Sequence, residues 1–273
     1  MLRGRGVESY LVVYVGLALL WPLVALFERR APATRLVRTK RGLTVDLAYW
    51  VITPLLTGTL ARVLTLGVIA TLGLSLGFGT DGPAFLARIE RVTPFAKLPF
   101  LASFLLALLV ADFLGYLSHR LRHTARLWRV HAVHHATTEL TAIAAARLHP
   151  LDEAIDSLCI SVPIILMGFP LPVFAALGPF FVLHTLLLHA NVSWTFGPLG
   201  RVLSSPRFHR RHHAEGLPAV NFGGVFAFYD VFFGTFEMPT EDPQTFGVVE
   251  RDVPGSVAGQ LAYPFKRAWH ALR

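Results

Sequence analysis

The chain has 273 residues, of which 53% are hydrophobic and 15% charged, and its mean hydropathy is +0.53; that is too apolar for a soluble domain of this length. Its formal charge of +8 does not point to nucleic acid, because Lys and Arg cluster in short segments beside apolar runs, as the positive-inside rule produces in an integral membrane protein. The single cysteine, Cys159, lies in an apolar run, so no internal disulfide forms and the redox compartment is not legible from thiols.

In chain order, an apolar run from Tyr10 to Phe27 follows Arg3 and Arg5, as in a signal peptide. It is long for one and ends in Glu28, Arg29 and Arg30 instead of a small-residue cleavage site, so it is read as a retained first span. Residues 28–42 carry Arg29, Arg30, Arg35, Arg38, Lys40 and Arg41 and are expected to face the cytoplasm. Residues 43–79 form a second apolar block interrupted by Arg62. At about 1.5 Å per residue it exceeds one bilayer crossing, so part of it is expected to lie in the interface or fold back. Residues 81–97 are mixed, and 98–118 form a block of spanning length. Residues 157–190 are apolar but broken by "GFPLP" at 168–172, which predicts a helical hairpin turning on Pro170 and Pro172. Basic segments follow the third and fourth blocks: Arg120, Arg122, Arg126 and Arg129, then Arg201, Arg207, Arg210 and Arg211. Placing both on the side of the first basic loop requires residues 43–79 to cross an odd number of times. The tail "YPFKRAWHALR" mixes aromatic and basic residues and is expected to rest on the membrane surface.

The histidines carry the chemistry. All but His270 fall between His119 and His213, and they are spaced. His119 and His123 are four apart; His131, His134 and His135 have offsets of three and four; His209, His212 and His213 repeat that pattern. On a helix these offsets bring side chains to one face, so each group can hold a metal ion from a rigid platform. Wound as one straight helix at about 100° per residue, 119–135 would spread five imidazoles over roughly 160°. Either the helix breaks there or two ions share it. Imidazole suits zinc, copper, iron and nickel. A zincin is excluded by the absence of HExxH, and the Glu-x-x-His of soluble di-iron bundles is also missing. What remains is an all-α integral membrane helical bundle with a cytoplasmic histidine-rich cap that binds one or two metals.

The three clusters, "HRLRH", "HAVHH" and "HRRHH", together with "DFLGYLSHR", "RLHPLDE", "LLHANVSWTFGPLG", "SPRFHRRHH" and "NFGGVFAFYDVFFGTF", resemble the membrane-bound fatty acid hydroxylase / sterol desaturase superfamily over roughly residues 108–240. Tyr229 and Phe222 stand where that family usually has Trp and Tyr, both aromatic exchanges. The resemblance implies a division into an N-terminal transmembrane region 1–97, a catalytic region 98–240 and an interfacial tail 241–273. It also implies two non-haem iron ions held by His119, His123, His131, His134, His135, His189, His209, His212 and His213. A tenth ligand is expected from His149 or His184. His149 is favoured because it lies in the matched His-Pro element, whereas the five-residue offset from His184 to His189 suits a helix face poorly.

Three further residues are assigned to the catalytic set. Asp112 lies seven residues before His119 and is expected to orient an imidazole by accepting its other N–H; an acid inside a span is a functional candidate by default. Asn221 and Asp230 follow the third box and are expected to fix it or bridge to a water on the metal. Asp152 and Glu153 either anchor the His-Pro loop or cap the helix that follows. The implied activity is O2-dependent hydroxylation or desaturation of a membrane lipid, fatty acyl, sterol or related. No haem-type carrier domain is recognisable in the 273 residues, so a separate electron-transfer protein is expected as donor. The expected location is a bacterial inner membrane or its equivalent, with the metal site on the cytoplasmic face. A zinc-dependent membrane hydrolase, a metal transporter and a membrane haem protein are the competing readings of the same histidines.

Overall fold

The structure is a computed structural model that describes residues 15, 21–35, 39–79, 81–249 and 252–271, with side chains of the last helix described as far as Phe265. The run from Tyr10 read as a first span lies outside the described residues except near its end, where 21–30 are helical. The described residues form helices and loops without a β-strand, in keeping with the all-α reading.

Among the described residues three helices are long and apolar enough to cross a membrane: α1 (Lys40–Ser75), α3 (Phe100–Arg122) and α6 (Leu171–His189), with the shorter α2 (Gly82–Val92) between the first two. A fourth arm, α5 (150–166), completes the bundle beside α1 and α3. The second apolar block does not fold back. It is one helix of 36 residues, eased by a π-helical turn at Thr53–Thr57 that starts at Pro54's missing N–H. At about 1.5 Å per residue it exceeds a bilayer crossing. The surplus stands beside the cap, where Trp50 Nε1 donates to the Ile143 carbonyl at 2.8 Å and Thr53 Oγ1 to that of Ala146 at 2.8 Å.

The hairpin forms where "GFPLP" predicts it. Helix α5 ends at Leu166, α6 begins at Leu171, and Gly168 turns the chain at φ +79°. A Cβ at Gly168 would also meet Thr93 Oγ1 at 2.6 Å, so both conformation and space demand glycine. Small residues on α3, Ala107 and Ala111, let it approach α5 and α6, and the core closes with Leu108, Ile164, Phe169, Val173 and Leu177. The outward faces of the long helices carry exposed Leu55, Leu56, Val63, Leu66, Leu101, Leu105 and Leu171, the surface that lipid rather than water satisfies.

Running antiparallel, α1 and α5 begin at one end of the bundle while α3 and α6 finish there. The cap is built at that end from α4 (Trp128–His135), a 3-10 turn (Ala142–Ala146), α7 (Pro206–His212), α8 (Phe228–Phe233) and α9 (Val257–Ala271). Three basic residues of the cap are structural, which adds to a simple topology signal. Arg122, Arg210 and Arg211 are buried, because each meets acceptors brought from elsewhere in the chain, those of Arg122 lying on α5. Tail helix α9 packs on the cap, where Tyr263 is buried and its hydroxyl donates to Asp252 at 2.8 Å. Asp46 of α1 and Arg147 form a buried ion pair, with Nε to Oδ1 at 3.0 Å. Asp46→Leu leaves that guanidinium unpaired and is expected to cost about 3–5 kcal/mol, read as a lower unfolding midpoint in detergent. Adding Arg147→Met is expected to recover part of the loss.

Candidate metal centre

Four helix C-termini converge on the centre. His119 lies in the last turn of α3 and His123 caps it; His134 and His135 end α4; His189 ends α6; His209 and His212 lie in α7, capped by His213. Each terminus adds the partial negative charge of the helix dipole, which favours a cation. Between Arg122 and Trp128 the chain breaks helix. Thr124 takes over, its hydroxyl donating to Leu121 O at 2.7 Å and its carbonyl accepting from Trp128 N at 2.8 Å. The break resolves the wide arc of the 119–135 segment, and two groups share it as well.

His119, His123, His131, His135 and His212 form one group; His134, His189, His209 and His213 form the other. Within each group the candidate ligand atoms lie within 4.8 Å of one another. In the first, Nε2 atoms approach at 3.1 Å (His119 to His131, His135 to His212) and 3.2 Å (His123 to His212). In the second, the approaches are 3.2 Å (His134 to His189), 3.3 Å (His189 to His209) and 3.1 Å (His209 to His213). Helices α4 and α7 each serve both groups, and the rings of His135 and His213 stack at 4.2 Å across the boundary.

The outer nitrogens settle the tautomers. Nδ1 of His119, His134, His189 and His212 faces the carbonyls of Phe222 (2.9 Å), Arg147 (3.1 Å), Thr185 (2.8 Å) and Val220 (2.7 Å). A carbonyl only accepts, so each Nδ1 carries the proton and each Nε2 presents a lone pair inward. Where two such rings face each other, as His134 and His189 do with Nε2 atoms 3.2 Å apart, the lone pairs repel unless a cation lies among them. The spacing also fits an ion at about 2.1 Å from each nitrogen, which sets neighbouring ligands at right angles about 3 Å apart. The donor set therefore fits two metal ions, one with five nitrogens and one with four.

Burial reinforces ligation by disfavouring the protonated ring. It holds His131, His134, His135, His209 and His213 well below the ordinary imidazole pKa, His212 down to about 4 and His123 to about 2. Neighbouring imidazoles and, for several, Arg122 act in the same direction.

The polar side chains behind the imidazoles differ from what the sequence predicts. Asp112 does not accept from an imidazole; its two oxygens take the N–H groups of Val225 and Phe226, both at 2.8 Å. Asp230 takes those of Phe222 and Gly223 at 2.8 and 2.7 Å. Asn221, at φ +61°, donates to the carbonyls of Phe208 and Glu237 and accepts from Glu237 N. All three clamp loop backbone, and through it the Phe222 carbonyl that orients His119. Gly224 is required here, since a Cβ would stand 2.6 Å from Asp112 Oδ1. The carboxylate that does meet an imidazole is Asp152, 3.2 Å from His131 Nδ1 and 3.3 Å from Arg122 Nη1, while Arg122 also reaches Asp156 at 3.1 Å. Asp46, which the sequence alone does not single out, pairs with Arg147 of the "RLHPLDE" element and so holds the carbonyl that orients His134. The rule that exposed Asp112 as an acid inside a span applies equally to Asp46.

Neither expected tenth ligand joins a group. His149 caps α5, its Nδ1 accepting from Leu151 N at 3.1 Å and its Nε2 donating to Leu261 O at 3.1 Å, so both nitrogens are engaged by backbone. The acids Asp152 and Glu153 follow in the first turn rather than forming the cap. His184 stacks on Phe180 and its Nε2 donates to Gly224 O at 3.2 Å. Five residues from His189, it points to a different face of α6.

A membrane bundle that gathers nine imidazoles into two adjoining groups defines a class of membrane metalloprotein. The fatty acid hydroxylase family profile matches residues 104–235. The chain is 32% identical over 252 residues to the ornithine lipid hydroxylase OlsE of Rhizobium tropici, covering 90% of this chain and 73% of that protein. It is 30% identical over 174 residues to the alkylglycerol monooxygenase of Caenorhabditis elegans, and 32% identical over 143 residues to a Delta(7)-sterol 5(6)-desaturase of Gibberella zeae. These two matches cover 62% and 50% of this chain but only 34% and 38% of those proteins. No solved structure matches. The chain belongs to the membrane-bound fatty acid hydroxylase / sterol desaturase superfamily.

Because these imidazoles titrate lower in the folded than in the unfolded protein, the unfolded chain binds more protons once pH drops below about 6.5. The metal-free protein is therefore expected to lose stability as pH falls from 7 to 5 and to gain nothing further above 7, measured as the unfolding midpoint across that range.

Proposed function

We propose that the protein is an O2-dependent di-iron oxidoreductase that hydroxylates or desaturates a membrane lipid. The observation that carries the reading is the pair of inward-facing nitrogen groups, five and four, at the end of an apolar bundle. It is supported by relatives described as a lipid hydroxylase, a monooxygenase and a sterol desaturase. A bound ferrous pair would supply the activation of O2 and the removal of hydrogen from an unactivated C–H bond; in hydroxylation one oxygen atom enters that bond and the other leaves as water, with two electrons from an external donor.

The chain's residues do the rest. The nine imidazoles would hold the ions and keep them all-nitrogen, without acting as acid or base. Asp152, shared between His131 and Arg122, would orient His131 in the five-nitrogen group. Asp112, Asn221 and Asp230 would keep the third box and its loop in place, and the closed core below the loop would exclude water. The arginine-rich segments beside the apolar helices support a cytoplasmic side for this end, where a soluble reductant would reach it, while the lipid would arrive along the apolar helices.

Purified protein is expected to carry about two irons per chain and to consume O2 when reduced in the presence of lipid, with products heavier by one oxygen or lighter by two hydrogens. His134→Ala is expected to abolish that mass change. Full turnover under anaerobic conditions without reductant would instead identify a zinc hydrolase.

A further inference from the structure

Arg120 sits inside the first box, yet it takes no part in holding metal. The other arginines of the first and third boxes, Arg122, Arg210 and Arg211, are buried against carboxylates or carbonyls. Arg120 is exposed and has no ion-pair partner among the described residues. It is nevertheless held in place. Its Nη1 donates to the Tyr116 hydroxyl at 3.0 Å, and its Cζ stands 5.6 Å over the Tyr116 ring and 5.9 Å over that of Phe222. The string continues inward: the Tyr116 hydroxyl lies 3.0 Å from Thr235 Oγ1, which donates to Asp230 Oδ1 at 2.7 Å. Every donor in the string has an acceptor, so the guanidinium is fixed with several N–H groups unspent, in the planar fork that suits a carboxylate or phosphate.

Its surroundings are apolar and outward-facing. Leu117 and Leu121 flank it on α3, and Phe233, 41% exposed, stacks on Tyr116 at 5.3 Å. Phe232 beside it is 80% exposed. Helix α8 is anchored to α3 by Tyr229, whose hydroxyl donates to Leu109 O at 2.7 Å, and by the stack of Phe113 on Phe233. The rim thus continues the lipid-facing surface of a membrane span. A fixed cation on an apolar rim matches an amphiphile with an anionic head. Phe222 links this spot to the centre, for its ring also contacts His119, His123 and His212 at 5.6, 5.3 and 5.6 Å.

Resting on the reading of the site as a lipid oxidoreductase, we propose that Arg120 anchors the anionic headgroup of the lipid at the mouth of the metal centre, with the chain laid along Leu117, Phe232 and Phe233. The shared chemistry is a carboxylate or phosphate on a single apolar chain, and two probes separate the sources. Full-length protein in neutral detergent is titrated with a lauroyl amino acid, with lysophosphatidic acid and with uncharged monoacylglycerol, and bound probe is counted by native mass spectrometry. Wild type is expected to bind at least one anionic probe about tenfold more tightly than the uncharged one, and Arg120→Gln to erase that preference. The tighter anionic probe names the headgroup. Arg120→Lys, which keeps the charge without the fork, is expected to retain part of it and serves if the Gln variant does not fold. An unchanged preference in Arg120→Gln, or none in wild type, overturns the anchor. Iron content is measured on the same samples: wild type without iron defeats the oxidoreductase reading, whereas iron retained with no anion preference defeats the anchor alone.

Discussion

The structure depends on one electrostatic constraint. Nine imidazole nitrogens converge in a buried space, and carbonyls on the far side of four of these rings hold those four with their lone pairs inward. Such an arrangement is self-repelling without positive charge at its middle. Most of what surrounds it supplies negative ends or fixes ring orientation: four helix C-termini, the backbone carbonyls and one carboxylate, with Arg122 as a neighbouring cation. Protons would relieve the repulsion only at the expense of burying charge. Metal cations relieve it and remain coordinated.

The two groups are unequal in a way the helices impose. On α4, the three-four spacing sends His131 and His135 to one group and His134 to the other; on α7 the same spacing sends His212 one way and His209 and His213 the other. Two short helices with one spacing therefore build a divided site, and α3 and α6 each complete one half. The asymmetry extends outward. The five-nitrogen half has Asp152 behind it as well as carbonyls behind His119 and His212, whereas the four-nitrogen half has carbonyls behind His134 and His189 and, among the described residues, no partner at Nδ1 of His209 and His213.

Much of this was legible in the residues. Helix, hairpin and histidine spacing are local properties, so the GFPLP turn, the all-α bundle and the three histidine clusters could be read directly. The destinations of polar side chains could not, because they depend on long loops. Asp112 lies on the correct face for His119, but the loop carrying Val225 and Phe226 occupies its oxygens first. Asp152 lies in the first turn of α5, where capping and metal support cannot be told apart until His131 is seen beside it. His149 sits in the matched His-Pro element, yet its role is fixed by Leu261, more than a hundred residues away. The basic segments, readable only as a topology signal, turn out to hold the cap together through Arg122, Arg210 and Arg211.

The division of nine nitrogens into two inequivalent ion positions is most directly tested by Mössbauer spectroscopy of protein loaded with isotope-enriched iron. The account predicts two doublets of equal area with different splittings, one for each half of the site. A single environment, or one iron per chain at saturation, would contradict it.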